Sequence, residues 1–330
     1  MKHTFILSLL FFYQHIAFGA SFQTRITVAK DGTGDFKSLQ EAIYSVKAFP
    51  DTQIIIYLKK GIYHEKIRIP AFNTHLSIIG EDPQTTIISW DDHFKKIGKG
   101  RNSTFYTYTL KVEANDFYAE NLTIQNTAGP IGQAVALHVV GDRAFFRNCR
   151  ILGHQDTFYG AGENSRIYFN ECYFEGTTDF IFGEATVLFE NCEIRSLSNS
   201  YITAASTPEW KDFGFVFLNC RLTAADSVKS VYLGRPWRDY ANVAFLNCYM
   251  DDHIHPEGWA NWSGTNRDQT AIFIEYGNTG LGADLSGRVG WMRRITKREA
   301  KRYVIENILA PQCNQQSKLE MWPLRYPIRK

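Results

Sequence analysis

The sequence predicts an all-β fold, a parallel β-helix with short helices that cap its two ends. Five cysteines, at positions 149, 172, 192, 220 and 248, are each the last residue of a four-residue motif. The motif consists of phenylalanine, a variable residue, asparagine or glutamate, and cysteine. Intervals of 20 to 28 residues indicate a solenoid repeat, and the alternation around each cysteine is typical of a short strand. Neither leucine-rich repeats nor helical repeats have this pattern. A β-sandwich would explain the strands but not the repeated motif.

Length and charge balance narrow the class of protein. The chain has 330 residues, with 36 Lys and Arg against 34 Asp and Glu and a formal net charge of +2. This balance excludes a strongly basic nucleic-acid-binding protein. Hydrophobic residues make up 44% of the chain, which excludes wholesale disorder. Aromatic residues, at 15%, suit a β-rich protein, a surface that faces carbohydrate, or both.

Residues 1–19 have the pattern of a secretory signal peptide. Lys2 and His3 precede an apolar run at residues 5–13, and Ala17 and Gly19 follow at the positions that a signal peptidase recognises. A buried helix and a membrane anchor are the alternatives, but the run is shorter than the roughly 20 residues that span a bilayer. We therefore expect a secreted, extracellular protein.

The rest of the chain contains no low-complexity linker, so we expect one domain over residues 22–330. Residues 36–46 have helical apolar spacing and could cover the open N-terminal edge of the β-helix. Residues 296–309 have the pattern of one amphipathic helix, which could pack over an open edge or a side. Between them, residues 117–124 fit the repeat without its cysteine.

In a parallel β-helix each repeat is one coil, and equivalent residues stack about 4.8 Å apart. The repeated asparagines could then form a ladder of hydrogen bonds, while phenylalanine and cysteine fill the interior. Cys192 and Cys220 could form a disulfide, although buried free thiols fit nearly as well. Cys313 lies outside the repeat, and no Cys-x-x-Cys pair indicates zinc, so we expect no metal and no cofactor. Three triplets could accept N-glycans, at Asn102, Asn121 and Asn261.

Two aspartates follow the spacing of the repeat. Asp156 lies seven residues after Cys149, and Asp179 lies seven residues after Cys172. They should therefore occupy the same position on successive coils. Gln133 precedes Asp156 by the same 23 residues and should occupy that position one coil earlier. The spacing thus predicts a column of one amide and two carboxylates.

Arg235 extends this column when its position is counted from the next cysteine. It precedes Cys248 by 13 residues, as Asp179 precedes Cys192. Two carboxylates one coil apart repel each other, so the pKa of one should rise unless a cation keeps its partner ionised. Arg235 could be that cation, leaving a protonated acid beside an anionic nucleophile or base. A row of exposed polar residues on a solenoid face is the plainer alternative.

Six short motifs follow one another along the chain. They are residues 61–65 (GIYHE), 126–130 (NTAGP), 133–137 (QAVAL), 153–159 (GHQDTFY), 179–183 (DFIFG) and 233–237 (LGRPW). Each is weak alone, but in this order they resemble the motifs of the pectin methylesterases, or pectinesterases, from residue 28 to the C-terminal helical segment. The resemblance implies a right-handed parallel β-helix and a carboxylic ester hydrolase that acts on methyl-esterified homogalacturonan.

The resemblance also implies a catalytic role for each polar residue. Asp179 resembles the nucleophile that attacks the ester carbonyl and forms an acyl-enzyme. Asp156 resembles the general acid that protonates methanol and then the base that activates water. Gln133 and Gln155 resemble the amide donors that hold the oxyanion, and Arg235 resembles the residue that orients the nucleophile. Gln155 and Asp156 would face opposite ways in a regular strand, so this position needs a bulge or a turn.

The same resemblance implies contacts with the polysaccharide. The expected substrate-binding residues are Thr104, Tyr159, Phe182, Trp237, Trp259 and Trp262. For the last two tryptophans either could form the wall of the cleft, and core packing is the alternative for any single aromatic. We expect a monomer whose partner is methyl-esterified pectin, with neither nucleic acid nor membrane involved.

Two other functions fit the same scaffold. A glycosidase or lyase that acts on polygalacturonate is the first, since paired carboxylates also suit retaining glycosidases. A lyase would be expected to carry an acidic Ca²⁺ site, whereas the amide donors here favour acyl transfer. A non-catalytic pectin-binding protein is the second, although it would be expected to lack one of the five catalytic residues.

Overall fold

The computed structural model describes residues 22–311 and residue 322, and within them the strands form three parallel sheets. The chain visits the sheets in a fixed rotation, and each circuit is one coil. This is the right-handed parallel β-helix that the sequence analysis predicts. The predicted signal peptide and Cys313 lie outside the described residues.

Each complete coil contributes one strand to each sheet, and incomplete coils at the two ends give the eleven-stranded sheet its additional strands. The eleven-stranded sheet has the spatial order β1 (Arg25–Val28), β2 (Ile54–Leu58), β5 (Leu76–Gly80), β8 (Tyr118–Glu120), β11 (Ala144–Arg147), β14 (Arg166–Asn170), β17 (Thr186–Glu190), β20 (Phe215–Leu218), β23 (Asn242–Leu246), β25 (Ile272–Tyr276) and β26 (Arg293–Arg294). The eight-stranded sheet has the order β3 (Gly61–His64), β6 (Thr86–Trp90), β9 (Thr123–Asn126), β12 (Arg150–Leu152), β15 (Tyr173–Gly176), β18 (Glu193–Ser196), β21 (Arg221–Ala224) and β24 (Tyr249–Met250). The seven-stranded sheet has the order β4 (Ile67–Ile69), β7 (Leu110–Val112), β10 (Leu137–Val139), β13 (Phe158–Gly160), β16 (Ile181–Gly183), β19 (Tyr201–Ala205) and β22 (Tyr232–Gly234).

The helices are short and lie outside the coils. The α-helices of the described residues are α1 (Leu39–Ser45), α2 (Phe94–Ile97), α3 (Lys297–Ala300) and α4 (Ile305–Ile308), and the 3-10 helices are Gly100–Tyr106, Arg267–Gln269 and Leu281–Ala283. Of these helices, none is long and apolar enough to cross a membrane.

The phenylalanines of the repeated motif form a stacked column inside the coils. Successive ring centroids along Phe146, Phe169, Phe189, Phe217 and Phe245 are 4.8, 5.3, 4.4 and 4.3 Å apart. All five side chains are fully buried. Because consecutive strands are in register, one apolar residue per coil builds a continuous core.

We expect Phe217→Ala to lower the free energy of unfolding by about 3–5 kcal/mol. Phe217 packs between the rings of Phe189 and Phe245, so its removal leaves a cavity that neither neighbour can close alone. Denaturant unfolding of the purified variant measures the loss. Leu281→Ala is the control, since that side chain is 79% exposed, and its effect should stay within about 0.5 kcal/mol. Equal stability of the two variants would contradict this account of the core.

The asparagines of the repeated motif occupy the bend between the eleven-stranded and eight-stranded sheets. Asn121, Asn148, Asn191, Asn219 and Asn247 all have positive φ, between 45° and 57°. Asparagine adopts this left-handed conformation more readily than most residues, which explains its recurrence. The side chain of Asn148 donates to Asn121 Oδ1 at 2.7 Å, one rung of the predicted ladder.

The five repeat cysteines are buried free thiols, so the disulfide considered for Cys192 and Cys220 is not formed. Each thiol from the second coil onward donates to a phenylalanine carbonyl oxygen of the coil before it. Cys192 Sγ, for example, lies 3.6 Å from the oxygen of Phe169, and Cys220 Sγ lies 3.4 Å from that of Phe189. The cysteines therefore act as small apolar residues with a weak donor.

The predicted N-terminal helix is confirmed as α1, somewhat shorter than residues 36–46. Its side chains Leu39, Ala42 and Ile43 are buried against the first coils. Glu65, from the GIYHE motif, accepts hydrogen bonds from Ser38 Oγ and from the backbone N–H groups of Leu39 and Gln40. A carboxylate at a helix N-terminus accepts hydrogen bonds from backbone N–H groups that have no partner within the helix. Its negative charge also interacts favourably with the helix dipole.

The single helix predicted for residues 296–309 is wrong, because two short helices, α3 and α4, occupy this segment. Thr296 and Glu299 form a capping box that starts α3, and the chain becomes extended at Val304 before α4. This turn brings Ile308 and Leu309 onto the outer face of the eleven-stranded sheet, where both are buried. The segment thus packs over a side of the β-helix.

Candidate active site

Asp156 and Asp179 lie at the same bend of successive coils, between the eight-stranded and seven-stranded sheets. Phe158 is opposite Ile181 in the register of β13 and β16, which places the two aspartates opposite each other. Both have left-handed backbone, with φ of 63° for Asp156 and 49° for Asp179. Aspartate tolerates this conformation, and the bend turns both carboxyl groups toward one cleft.

Gln133 lies opposite Gln155, one residue away from the predicted position opposite Asp156. The two glutamines form a parallel bridge, and the N–H of Ala134 donates to the carbonyl oxygen of Gln155 at 3.0 Å. The equal spacing is misleading because the register shifts by one residue at this coil. As a result the two amides stand side by side in the cleft with Asp156. The left-handed bend at Asp156 is the turn that this arrangement requires.

Arg235 does not belong to the column of aspartates, so that prediction from spacing is wrong. Thr203 is opposite both Ile181 and Gly234, which places Arg235 three residues beyond the position equivalent to Asp179. The turn after β22, residues 235–241, is longer than the turn after β16, residues 184–185, so counting back from cysteine fails. The long arginine side chain nevertheless reaches back across two coils.

The Arg235 guanidinium holds Asp179 in a bidentate ion pair. Arg235 Nε donates to Asp179 Oδ1 at 3.0 Å, and Nη2 donates to Oδ2 at 2.7 Å. The rings of Tyr201 and Trp262 lie on the guanidinium, with centroids 4.1 and 4.2 Å from its central carbon. Stacking and the two hydrogen bonds fix the guanidinium, and through it the carboxylate.

The two aspartates have different protonation preferences. Burial raises the pKa of Asp179 from its ordinary value, and the hydrogen-bonded Arg235 opposes that rise. Burial, and then the neighbouring charge of Asp179, raises the pKa of Asp156 well above its ordinary value, and the charge of Arg235 opposes this rise. A proton shared by this pair therefore resides on Asp156, and Asp179 is the anion.

The aspartates open onto a cleft of about 310 Å³. Its lining residues are Arg101, Thr104, Phe105, Gln133, Gln155, Asp156, Asp179, Phe182, Ala204, Arg235, Trp237 and Trp262. The five predicted catalytic residues and four of the six predicted substrate-binding residues are thus gathered in one place. The glycine of the DFIFG motif, Gly183, has φ of 123°, and a Cβ there would collide with the carbonyl oxygen of Gly160 on the preceding coil.

Trp259 does not line the cleft, so its prediction as a substrate contact is wrong. Tyr159 is half-buried and packs in one cluster with the cleft residues Phe182 and Trp262, so its contact with substrate stays a prediction. Trp259 is fully buried in the interior, and its indole N–H donates to Glu275 at 3.0 Å. Tyr159 stacks on Phe182 at 4.7 Å, and its hydroxyl donates to Glu184 at 3.3 Å. It supports the Phe182 ring from the neighbouring coil. Of the two tryptophans left open by the sequence, Trp262 is the one in the cleft.

Three lining residues escaped the sequence analysis, namely Arg101, Phe105 and Ala204. Arg101 and Phe105 lie on the 3-10 helix of the loop 91–107, between β6 and β7. The basic and aromatic composition of this loop is the signal that could have indicated it. Asn126, from the NTAGP motif, anchors both ends of the loop by donating to the carbonyl oxygens of Asp92 and Thr107.

Comparisons with known proteins agree on one family. A family model described as Pectinesterase matches residues 25–312. The curated protein Pectinesterase 31 of Arabidopsis thaliana is 37% identical over 295 residues, which cover 87% of this chain and 92% of that protein.

Solved structures give the same result. Pectin methylesterase from carrot has a TM-score of 0.82 and 33% identity, with 87% of this chain and 93% of that chain covered. A pectin methylesterase in complex with a hexasaccharide has a TM-score of 0.76 and 30% identity, with 88% of this chain and 98% of that chain covered.

Proposed function

The chain belongs to the pectinesterase family, and from this premise we propose how its cleft removes methyl groups from pectin. The protein is a carboxylic ester hydrolase, a pectinesterase. Its reaction converts a methyl-esterified galacturonate of pectin and water into galacturonate and methanol. The solved relative with a bound hexasaccharide supports a polysaccharide substrate.

In the first step Asp179 is the nucleophile. Its carboxylate attacks the C6 carbonyl carbon of the ester, and the carbonyl oxygen becomes an oxyanion that the amide N–H groups of Gln133 and Gln155 stabilise. The bond between C6 and the methoxy oxygen then breaks. Asp156 gives its proton to that oxygen, so methanol leaves and an anhydride joins Asp179 to the substrate.

In the second step water hydrolyses the anhydride between Asp179 and the substrate. Asp156, now a carboxylate, takes a proton from water while the water oxygen bonds to C6. The bond from C6 to Asp179 breaks, which restores the Asp179 carboxylate, while Asp156 keeps the proton that it took from water. The product uronic acid then releases its own proton to solvent. Arg235 orients Asp179 in both steps, and Trp237, Trp262 and Phe182 provide apolar walls for the sugar rings.

The observation that carries this proposal is the asymmetry of the two carboxyl groups. Asp179 has a bidentate cation, while Asp156 lies opposite it with a raised pKa and no such partner. An anionic nucleophile beside a proton donor is the pairing that ester cleavage needs, and both amides face the same cleft.

We further propose that residues 1–19 direct secretion and are removed, which leaves one catalytic domain over residues 22–330 that acts as a monomer outside the cell. Pectin is the expected partner, and nucleic acid and membrane are not. The N-terminal sequence pattern supports secretion, and the near balance of positive and negative charges argues against a nucleic-acid partner.

Product analysis with highly esterified pectin tests the proposed function. We expect methanol release that equals the new carboxylate, without new reducing ends and without unsaturated products. Shortened chains would support a glycosidase, and unsaturated ends would support a lyase. Binding of pectin without any of these products would support a non-catalytic role.

A further inference from the structure

A buried ion pair lies near the C-terminal end of the β-helix, outside the cleft. The side chains of Arg288 and Glu275 are 2% and 1% exposed, which makes theirs the most deeply buried ion pair of the described residues. Arg288 Nε donates to Glu275 Oε1 at 2.8 Å, and Nη2 donates to Oε2 at 3.2 Å. Such a pair adds little net stability, because the loss of hydration offsets the attraction, and its better-attested use is to fix one arrangement of the chain.

Arg288 holds the segment 255–260. Its Nη1 donates to the carbonyl oxygen of Pro256 at 3.0 Å. Its side chain also crosses the backbone of Gly258, where a Cβ would lie 2.4 Å from Arg288 Cδ. Gly258 has φ of 70°, a conformation that glycine adopts without strain. The segment is thus packed directly on the Arg288 side chain.

Glu275 holds the same segment through Trp259. The indole N–H of Trp259 donates to Glu275 Oε1 at 3.0 Å, and the ring is fully buried against Phe245 and Phe273. Glu275 Oε1 therefore accepts from both the indole and the guanidinium of Arg288. One carboxylate joins the tryptophan and the arginine in the interior, and both carry the segment with them.

The segment 255–260 is hydrogen-bonded to β22. The N–H of Leu233 donates to the carbonyl oxygen of Gly258 at 2.7 Å, and the N–H of Ala260 donates to that of Gly234 at 3.1 Å. Gly234 is the last residue of β22 and directly precedes the arginine of the active site. The position of the segment therefore sets the position of that arginine's backbone.

The same segment leads to the ring that covers the arginine side chain. Trp262 follows two residues after the segment, and its ring centroid is 4.2 Å from the central carbon of the Arg235 guanidinium. Arg235 in turn holds Asp179 with two hydrogen bonds. A chain of direct contacts thus joins the buried ion pair to the nucleophile.

We propose that the buried ion pair positions the active site, because it keeps the Arg235 guanidinium on the Asp179 carboxylate. Neither Glu275 nor Arg288 lines the cleft, so both act through the segment 255–260. They are positioning residues and have no contact with the reacting atoms. The proposal rests on the proposed function of the cleft.

A displaced guanidinium should change the pH dependence of the reaction. Burial raises the pKa of Asp179, and the hydrogen-bonded Arg235 opposes that rise. If Arg235 moves away, the pKa of Asp179 rises further and the acid limb of kcat/KM moves to higher pH. The other titratable groups at this place among the described residues are Asp156 and Tyr201, and the variants below leave both unchanged.

Glu275→Gln tests the proposal, because it removes the charge of the ion pair and keeps the size of the side chain. Methanol release from highly esterified pectin is measured against pH. We expect the acid limb of kcat/KM to lie roughly 0.5–1 pH unit above that of the wild type, so the rate below the limb falls roughly three- to tenfold. Trp259→Phe removes only the indole N–H and should move the limb in the same direction by less.

Asp116→Asn is the matched control, since it makes the same chemical change in another arginine–carboxylate pair. Asp116 is buried in the turn before β8 and accepts two hydrogen bonds from Arg143, each at 2.6 Å. The control should lower the thermal unfolding temperature without moving the limb. An equal shift in Asp116→Asn would overturn the proposal. An unshifted limb in folded Glu275→Gln, or in Trp259→Phe if Glu275→Gln does not fold, would also overturn it.

A titration without substrate separates this proposal from the proposed function. The carboxyl carbon of Asp179 is followed by NMR in protein with isotope-labelled aspartate, and Asp179→Ala assigns its signal. We expect the pKa of Asp179 to be higher in Glu275→Gln by the same amount as the limb. That rise, with no methanol release by the wild type, would refute the esterase mechanism and still support the positioning role. Methanol release with the same Asp179 pKa in both proteins would refute the positioning role alone.

Discussion

Asp179→Ala is expected to abolish methanol release, with a loss in kcat of about four orders of magnitude or more. Without the carboxylate no acyl-enzyme can form, and the remaining amides and aromatics only bind the polymer. Binding of pectin should largely survive, because the cleft walls Phe182, Trp237 and Trp262 are unchanged. Methanol release and pectin binding are measured on the same preparation.

The control for this variant is Asp226→Ala, which changes an exposed aspartate. Its turnover should match that of the wild type. Asp179→Ala leaves the Arg235 guanidinium without its carboxylate, so thermal unfolding must show that the variant is folded. A folded Asp179→Ala protein that turns over at the wild-type rate would refute the nucleophile assignment.

Asp156→Asn is expected to lower kcat by about two to four orders of magnitude. An amide can neither protonate the departing methanol nor accept a proton from water, so both steps lose their catalyst. The wild type should have a bell-shaped profile of kcat/KM against pH: the rate rises as Asp179 ionises and falls as Asp156 loses its proton. The raised pKa of Asp156 extends the active range upward in pH.

The same substitution is expected to stabilise the protein at neutral pH. The pKa of Asp156 is higher in the folded state than the value of about 3.9 in the unfolded chain. Below the unfolded pKa both states hold the proton and the aspartate has no cost. As pH rises toward the folded pKa the fold loses stability, and the loss is complete above it. Asp156→Asn removes this titration, so its advantage over the wild type should grow with pH.

Denaturant unfolding of both proteins from about pH 4 to pH 8 measures this advantage. Asp226→Asn is the matched control, since it makes the same chemical change at an exposed position. Its stability should follow that of the wild type at every pH. An Asp156→Asn protein that is less stable than the wild type at pH 8, or one with unchanged turnover, would contradict the assignment of Asp156 as the buried proton donor.

Most of the fold could be predicted from the repeat, because each repeated residue type has the same structural role in every coil. Phenylalanine fills the interior, asparagine adopts the left-handed bend, and cysteine packs as a small apolar residue. These tasks are local, so the sequence displays them. The C-terminal segment shows the limit of this reasoning: residues 296–309 have helical spacing, yet contact with the outer face of the eleven-stranded sheet divides them into α3 and α4.

The residue spacing of the repeat correctly predicted that the two aspartates lie on neighbouring coils. It gave the wrong positions for two other catalytic candidates. Gln133 is shifted by one residue, and Arg235 by three, because coils differ in length at their turns. Counting residues works between Asp156 and Asp179 only because the 23 residues between them match the register of β13 and β16. Trp259 and Trp262 lie close in sequence, yet one fills the core and the other stacks on Arg235.

The sequence by itself determined the parallel β-helix, the family, and most of the residues that meet in the cleft, because repeats and motifs are local features of the sequence. Only the tertiary structure decided which carboxyl group has the more strongly raised pKa and which tryptophan lines the cleft. These properties depend on burial and on contacts between residues far apart along the chain, and no local pattern encodes them.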